Sequence, residues 1–192
     1  LYSSAASDVY KRQVQKSIEF QTAMAKVGTI ADTNVVPLSQ MQKEIINLSN
    51  ALGVNASTVA EDVYNAISAG QKTSDAVSFV EKATMLAKGG FAETGQALDV
   101  LTTILNAYGM ESSKTEEISN MLITTQNRGK VTVAELSSVM GKVIPTANAN
   151  NVALEQLCAG YSIMTARGIA AAETTTYMNS MLNELGKSGT SA

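Results

Sequence analysis

The feature that most constrains this chain is a helical period broken at regular intervals. Apolar residues recur three and four positions apart, as in Ile45, Leu48 and Leu52 and again in Leu98, Leu101, Leu105 and Tyr108, the spacing of one face of an α-helix. β-Branched alternation is short and never bounded as a strand would be. Gly53, Gly70, Gly89 with Gly90, Gly109, Gly129, Gly168 and Gly186 each follow an apolar segment, where a helix C-terminus favours a left-handed residue. From Gly89 onward the breaks recur about every 18 to 20 residues, with ANANN at 147–151 as the break that lacks glycine.

This spacing predicts helices over 15–27, 38–52, 58–69, 75–88, 95–108, 114–127, 133–147, 152–167 and 173–185. The fold class is all-α, an array or bundle of about eight to nine short helices joined by Gly-containing turns. Connections of about four to six residues make consecutive helices antiparallel neighbours. Thr58 with Glu61, Ser113 with Glu116 and Thr132 with Glu135 fit the capping box, while Ser74 and Thr94 read as simple caps. Pro37 opens the second helix where its missing N–H costs nothing. Pro145 is expected to kink or end the seventh early.

Composition sets what such helices can bury and bind. Only 5% of residues are aromatic and none is Trp, so the core is built from small side chains, each burying little area. Isolated, such a chain is expected to have modest stability. Met121, Met140, Met164, Met178 and Met181 read as adaptable core filler, with a promiscuous binding surface as the other reading of the same residues. A net charge of −3, without a basic stripe, lacks the electrostatic footprint of nucleic-acid binding. No apolar run reaches the eighteen or so residues of a membrane span, since Arg167 and Glu173 interrupt AGYSIMTARGIAAAE.

The chemistry-bearing residues give mainly exclusions. The chain has no His, so a Ser-His-Asp triad is absent, and no Cys/His cluster offers a zinc site. The single cysteine, Cys158, lies on an apolar run and reads as a buried small hydrophobe. GKSG at 186–189 lacks the upstream glycine and strand of a phosphate-binding loop, Met181 standing where that glycine is needed. GYS at 160–162 misses the nucleophile elbow because Met164 replaces its second glycine. The carboxylate pairs Glu61 with Asp62 and Glu116 with Glu117 are placed in first helical turns, where negative charge complements the macrodipole. No catalytic, cofactor-binding or metal-binding residue is therefore assigned, and the chain is read as a non-enzyme.

The opening LYSSAASDVYKRQ stands apart. Asp8 to Gln13, back-translated as GAT GTG TAT AAG AGA CAG, resembles the mosaic-end adapter of transposon-based sequencing libraries read through in frame. Residues 1–13 are accordingly expected to be adapter read-through, and 14–192 the authentic helical domain, the other reading of the stretch being an ordinary polar helix start. The missing initial Met and the abrupt KSGTSA ending favour a piece of a longer protein.

Several runs taken in order resemble the core region of bacteriophage tail tape measure proteins of long-tailed phages and prophages: VGTIADT at 27–33, VYNAISAG at 63–70, FVEKATMLAKGG at 79–90, ALDVLTTILNAYG at 97–109, then VTVAELSSVMGKVIPTA, LEQLCAGYSIMTARGI and MNSMLNEL. The similarity extends over roughly Phe20 to Leu185, carried by succession rather than by one motif. It implies a virion protein that occupies the tail lumen, is assembled in the host bacterial cytoplasm, sets tail length and leaves the tube when DNA is delivered. It also implies the tail tube protein, tail assembly chaperones and tail tip or baseplate proteins as partners, and a homo-oligomer within the tail. Catalytic residues are not carried over by it.

A ruler encodes length because an α-helix advances 1.5 Å per residue, and an efficient rod would sustain heptads with few breakers. Breaks about every twenty residues instead favour a folded helical domain attached to the ruler over a segment that rearranges in the tube. Two other readings are a helical interaction scaffold unrelated to phage and a cell-wall hydrolase domain. The latter requires a glutamate held in an apolar cleft.

Overall fold

The computed structural model describes the backbone of residues 2–187 and the side chains of residues 8–187. The described residues form α1 (Tyr2–Ile30), α2 (Leu38–Leu52), α3 (Ala56–Ser68), α4 (Ala76–Gly89), α5 (Thr94–Tyr108), a 3-10 turn (Ser112–Lys114), α6 (Thr115–Arg128), α7 (Val133–Met140), α8 (Ile144–Ala149), α9 (Leu154–Ala166) and α10 (Ala171–Leu185), with no strand among them. The chain divides into two units, residues 1–81 and 82–192, the boundary falling within α4.

In the first unit α3 packs on α1 and α2. Pro37 is the N-cap residue of α2, and its carbonyl accepts from the Gln40 and Met41 amides. The residues Met41, Ile45 and Leu48, four and three apart, turn one buried face toward the core, which Val27, Val59 and Val63 help to fill. Two ties join α1 to the α3 region: Lys26 Nζ lies 3.8 Å from Glu61, and the Asp32 amide donates to Thr73 Oγ1 at 2.9 Å. Both partners advance together along the sequence, so α1 and α3 run in the same direction.

The second unit repeats that relationship. Ser137 Oγ donates to the Gln96 carbonyl at 2.7 Å, Asn148 Nδ2 to Ala107 at 2.8 Å and the Tyr108 hydroxyl to Val152 at 3.0 Å. Helix α5 therefore runs alongside α7 and α8 in their direction, and α6 does the same alongside α9. Helix α10 closes the unit against α7, α8 and α9. The hydrogen bonds that tie alternate helices together span 35 to 44 residues. The structural repeat is thus two helices of about 40 residues in all, as in stacked helical-hairpin arrays. A glycine-to-glycine interval is half of it.

Several local expectations need correcting. Helix α1 begins at Tyr2, not near residue 15, although every side chain from Asp8 to Glu19 is exposed. The seventh predicted helix is two: α7 ends at Met140, and Pro145 lies in the first turn of α8, where it does not break an intrahelical bond. Of the expected boxes only Thr132 with Glu135 forms, the Glu135 amide donating to Thr132 Oγ1 at 3.2 Å and the Thr132 amide to Glu135 Oε2 at 2.7 Å. Asn55 caps α3 in place of Thr58, its Oδ1 accepting from the Ser57 amide. Ser113 lies inside the 3-10 turn, and Thr94 is the first residue of α5, preceded by Glu93, whose amide donates to Gln96 Oε1.

The breaks are equally mixed. Gly53, Gly70, Gly109 and Gly168 take positive φ, and Asn151 supplies it in the break that lacks glycine. Gly90 does not: there the left-handed residue is Phe91, and a Cβ on Gly90 would meet Val133 Cγ2 at 2.4 Å. Met140 and Met178 are buried as expected, whereas Met181 is 54% exposed. Of GKSG, Gly186 and Lys187 follow α10, while Ser188 and Gly189 lie outside the described residues.

Candidate interaction groove

Small side chains bring α6 and α9 together. Ser162 Oγ donates to the Cys158 carbonyl at 3.1 Å within α9 and reaches the Thr125 carbonyl of α6 at 3.5 Å. One turn on, the Thr165 hydroxyl donates to the Tyr161 carbonyl at 2.7 Å and accepts from the Lys130 amide at 3.2 Å. Gly129 makes this approach possible, because its missing Cβ would stand 3.2 Å from the Ser162 Cα. On the far side of α9, Tyr161 and Thr175 share a 2.5 Å hydrogen bond, and Met178 Cε lies over Gly160. Burial pushes the Tyr161 phenol up to about 12, so it stays protonated.

The outer side of the α6/α9 pair is an open groove of about 780 Å³. Its floor is apolar, with Met121, Cys158, Ala159, Ile163 and Ala166. Because the two helices run in the same direction, like charges gather at each end: Glu117 and Glu155 at the helix starts, Arg128 and Arg167 at their ends. Each sign complements the local macrodipole. Glu117 accepts from Lys114 Nζ at 2.7 Å. This constellation has an apolar floor between opposite charges, the make-up of a groove for an amphipathic helix.

The residues weighed in the sequence fall as follows. Cys158 is buried and unpaired to any other cysteine, and burial raises its thiol pKa, which disfavours the nucleophilic thiolate. Glu116 and Glu117 occupy the first turn of α6 as expected. Neither Glu61 nor Asp62 occupies a first turn. Helix α3 starts at Ala56, which moves Asp62 a turn inward, where it is 9% exposed and its carboxyl is pushed up to about 6 by burial and then by Glu61. Among the described residues no group of three or more His, Cys, Asp or Glu could hold a metal ion, and no helix is long and apolar enough to cross a membrane.

Neither the groove nor Asp62 was legible in the sequence. The groove depends on pairing residues about 37 positions apart, and Asp62 on where α3 begins.

Comparison with known proteins adds a family. Residues 42–192 match the model of the family described as phage-related minor tail protein. A probable tape measure protein of Clostridium phage phiCD119 is 38% identical over 178 residues, 91% of this chain and 19% of that protein. A tape measure protein of Pneumococcus phage Dp-1 is 22% identical over 169 residues, 88% of this chain and 15% of that protein. The chain thus spans less than a fifth of the length of these relatives. No solved structure matches it.

Proposed function

This chain belongs to the phage-related minor tail protein family, and from that premise we propose that it is a folded helical segment of a tape measure protein that sets tail length. The similarity to two tape measure proteins over about nine-tenths of the chain carries the proposal. Its role is structural, without a catalytic step. Its place is the tail lumen of the virion, reached by assembly in the host cytoplasm. The tail tube protein, the tail assembly chaperones and the tip or baseplate proteins are its partners there, and several copies lie together.

The two-helix repeat supports a folded state for this segment. Stacked pairs advance by about one interaxial distance, 8–10 Å, per 40 residues, whereas a continuous helix of the same length advances about 60 Å. The assignment is tested by placing an epitope tag in the exposed 109–114 connection of the full-length gene and purifying virions. Tag recovered in intact tails and lost from tails after DNA ejection supports the reading. Tag absent from purified tails overturns it.

A further inference from the structure

Helix α10 carries an exposed stripe that matches the α6/α9 groove. Glu173, Tyr177 and Met181 recur every four residues along one side of the helix, Leu185 follows further round toward the buried face at the helix end, and Tyr177 donates its hydroxyl to Glu173. Tyr177 is 50% exposed, Met181 54% and Leu185 74%, so three large apolar side chains lie in water on a helix whose other face is already used. That other face, Thr174, Thr175, Met178 and Leu182, is buried, and its contacts with Tyr161 and Gly160 fix α10 on the side of α9 away from the groove. The stripe cannot enter the groove of its own molecule.

We propose that the groove between α6 and α9 is an interface for helix α10 of a second copy of this chain, laid antiparallel to both. The charges fix the direction. Antiparallel docking sets Glu173, at the start of the stripe, against Arg128 and Arg167, neither of which has an ion pair among the described residues. The other end of α10, with the Glu184 to Lys187 ion pair of 2.5 Å, then comes to Glu117 and Glu155. The macrodipoles of the docked helix and of the groove pair oppose each other, which is favourable. Parallel docking would bring Glu173 to Glu117 and Glu155, a like-charge contact.

Lengths agree as well. Glu117 to Arg128 covers about 17 Å along α6, and Glu173 to Leu185 about 18 Å along α10. Tyr177 and Met181 therefore fall over the apolar floor when the charged ends meet, while Leu185 reaches the level of Glu117 and Glu155. The inference names a surface for the association of copies proposed above. Its test in solution is independent of tail length, so either can fail without the other.

The test is sedimentation equilibrium of the 192-residue chain from about 10 μM to about 1 mM, a range suited to a single helix-in-groove contact. The chain is expected to self-associate, Met181→Asp to abolish the association, and Arg167→Glu to weaken it about tenfold. Glu173→Arg should also weaken it, and the double variant Arg167→Glu with Glu173→Arg should restore it. All three positions are exposed, and circular dichroism of each variant checks that the helices are intact. Should Met181→Asp unfold, the charge-reversal pair still decides. A monomer throughout the range overturns the proposal, as does association that neither Met181→Asp nor charge reversal alters.

Discussion

Gly129 and Thr165 are in contact across the α6/α9 pair so closely that a Cβ on Gly129 would stand 2.4 Å from the Thr165 hydroxyl oxygen. The backbone of Gly129, at φ −103° and ψ −177°, is one that any residue adopts. Close approach, rather than conformational freedom, requires glycine here.

Gly129→Ala is therefore expected to destabilise the chain by about 2 kcal/mol through overpacking, lowering the melting temperature by roughly 4–8 °C. Gly141→Ala is the control: its backbone is right-handed helical and a Cβ there meets nothing within 4 Å. That variant should melt within about 2 °C of the parent chain, since Gly to Ala at a compatible site is mildly stabilising. Thermal denaturation followed by circular dichroism separates the two.

Asp62 predicts a pH dependence. Its carboxyl is raised from 3.8 to about 6 in the fold, so the folded chain holds the proton more tightly than the unfolded chain. This contribution is greatest below pH 3.8, is lost as pH rises to about 6, and is level beyond. Asp62→Asn should consequently stabilise the chain at pH 7 by about 1–2 kcal/mol and leave it almost unchanged at pH 3.5. Urea unfolding at the two pH values checks it, and a variant less stable at pH 7 would show that the charged carboxylate is the form the fold prefers.

Much of the helical content was legible because its signals are local. Ile45 with Leu48, and Leu98 with Leu101 and Leu105, announce their helices through spacing alone, and Thr132 with Glu135 marks a true helix start. Pro145 announced the end of a helix before itself, and ANANN announced a break, in which Asn151 supplies the left-handed residue. What remained hidden depends on distant partners. Gly90 and Gly129 resemble any other C-terminal glycine in sequence, yet Val133 and Thr165 are what demand them. The two-helix repeat was likewise hidden, because equal glycine spacing cannot distinguish a helix from half of a pair.

Residues 1–13 are proposed to be adapter read-through. In the structure α1 runs from Tyr2 through the rest of this stretch, but the side chains from Asp8 to Glu19 are exposed, and among the described side chains the first buried core residue is Ala23. Removing Leu1 to Gln13 should shift the melting temperature by less than about 2 °C. A loss of several degrees would make them an integral part of the domain.

The central proposal is that the helical pairs of the second unit stay packed rather than straightening into a rod, and tail length measures it directly. In the full-length gene, Thr94 to Thr132 is deleted so that Val133 follows Glu93 and one two-helix unit is removed. Tails are then measured by electron microscopy. A folded stack predicts tails unchanged or shorter by about 10 Å, one interaxial distance. Well-formed tails shorter by about 60 Å, the helical length of about 40 residues, would contradict it and show that these helices straighten into the measuring rod.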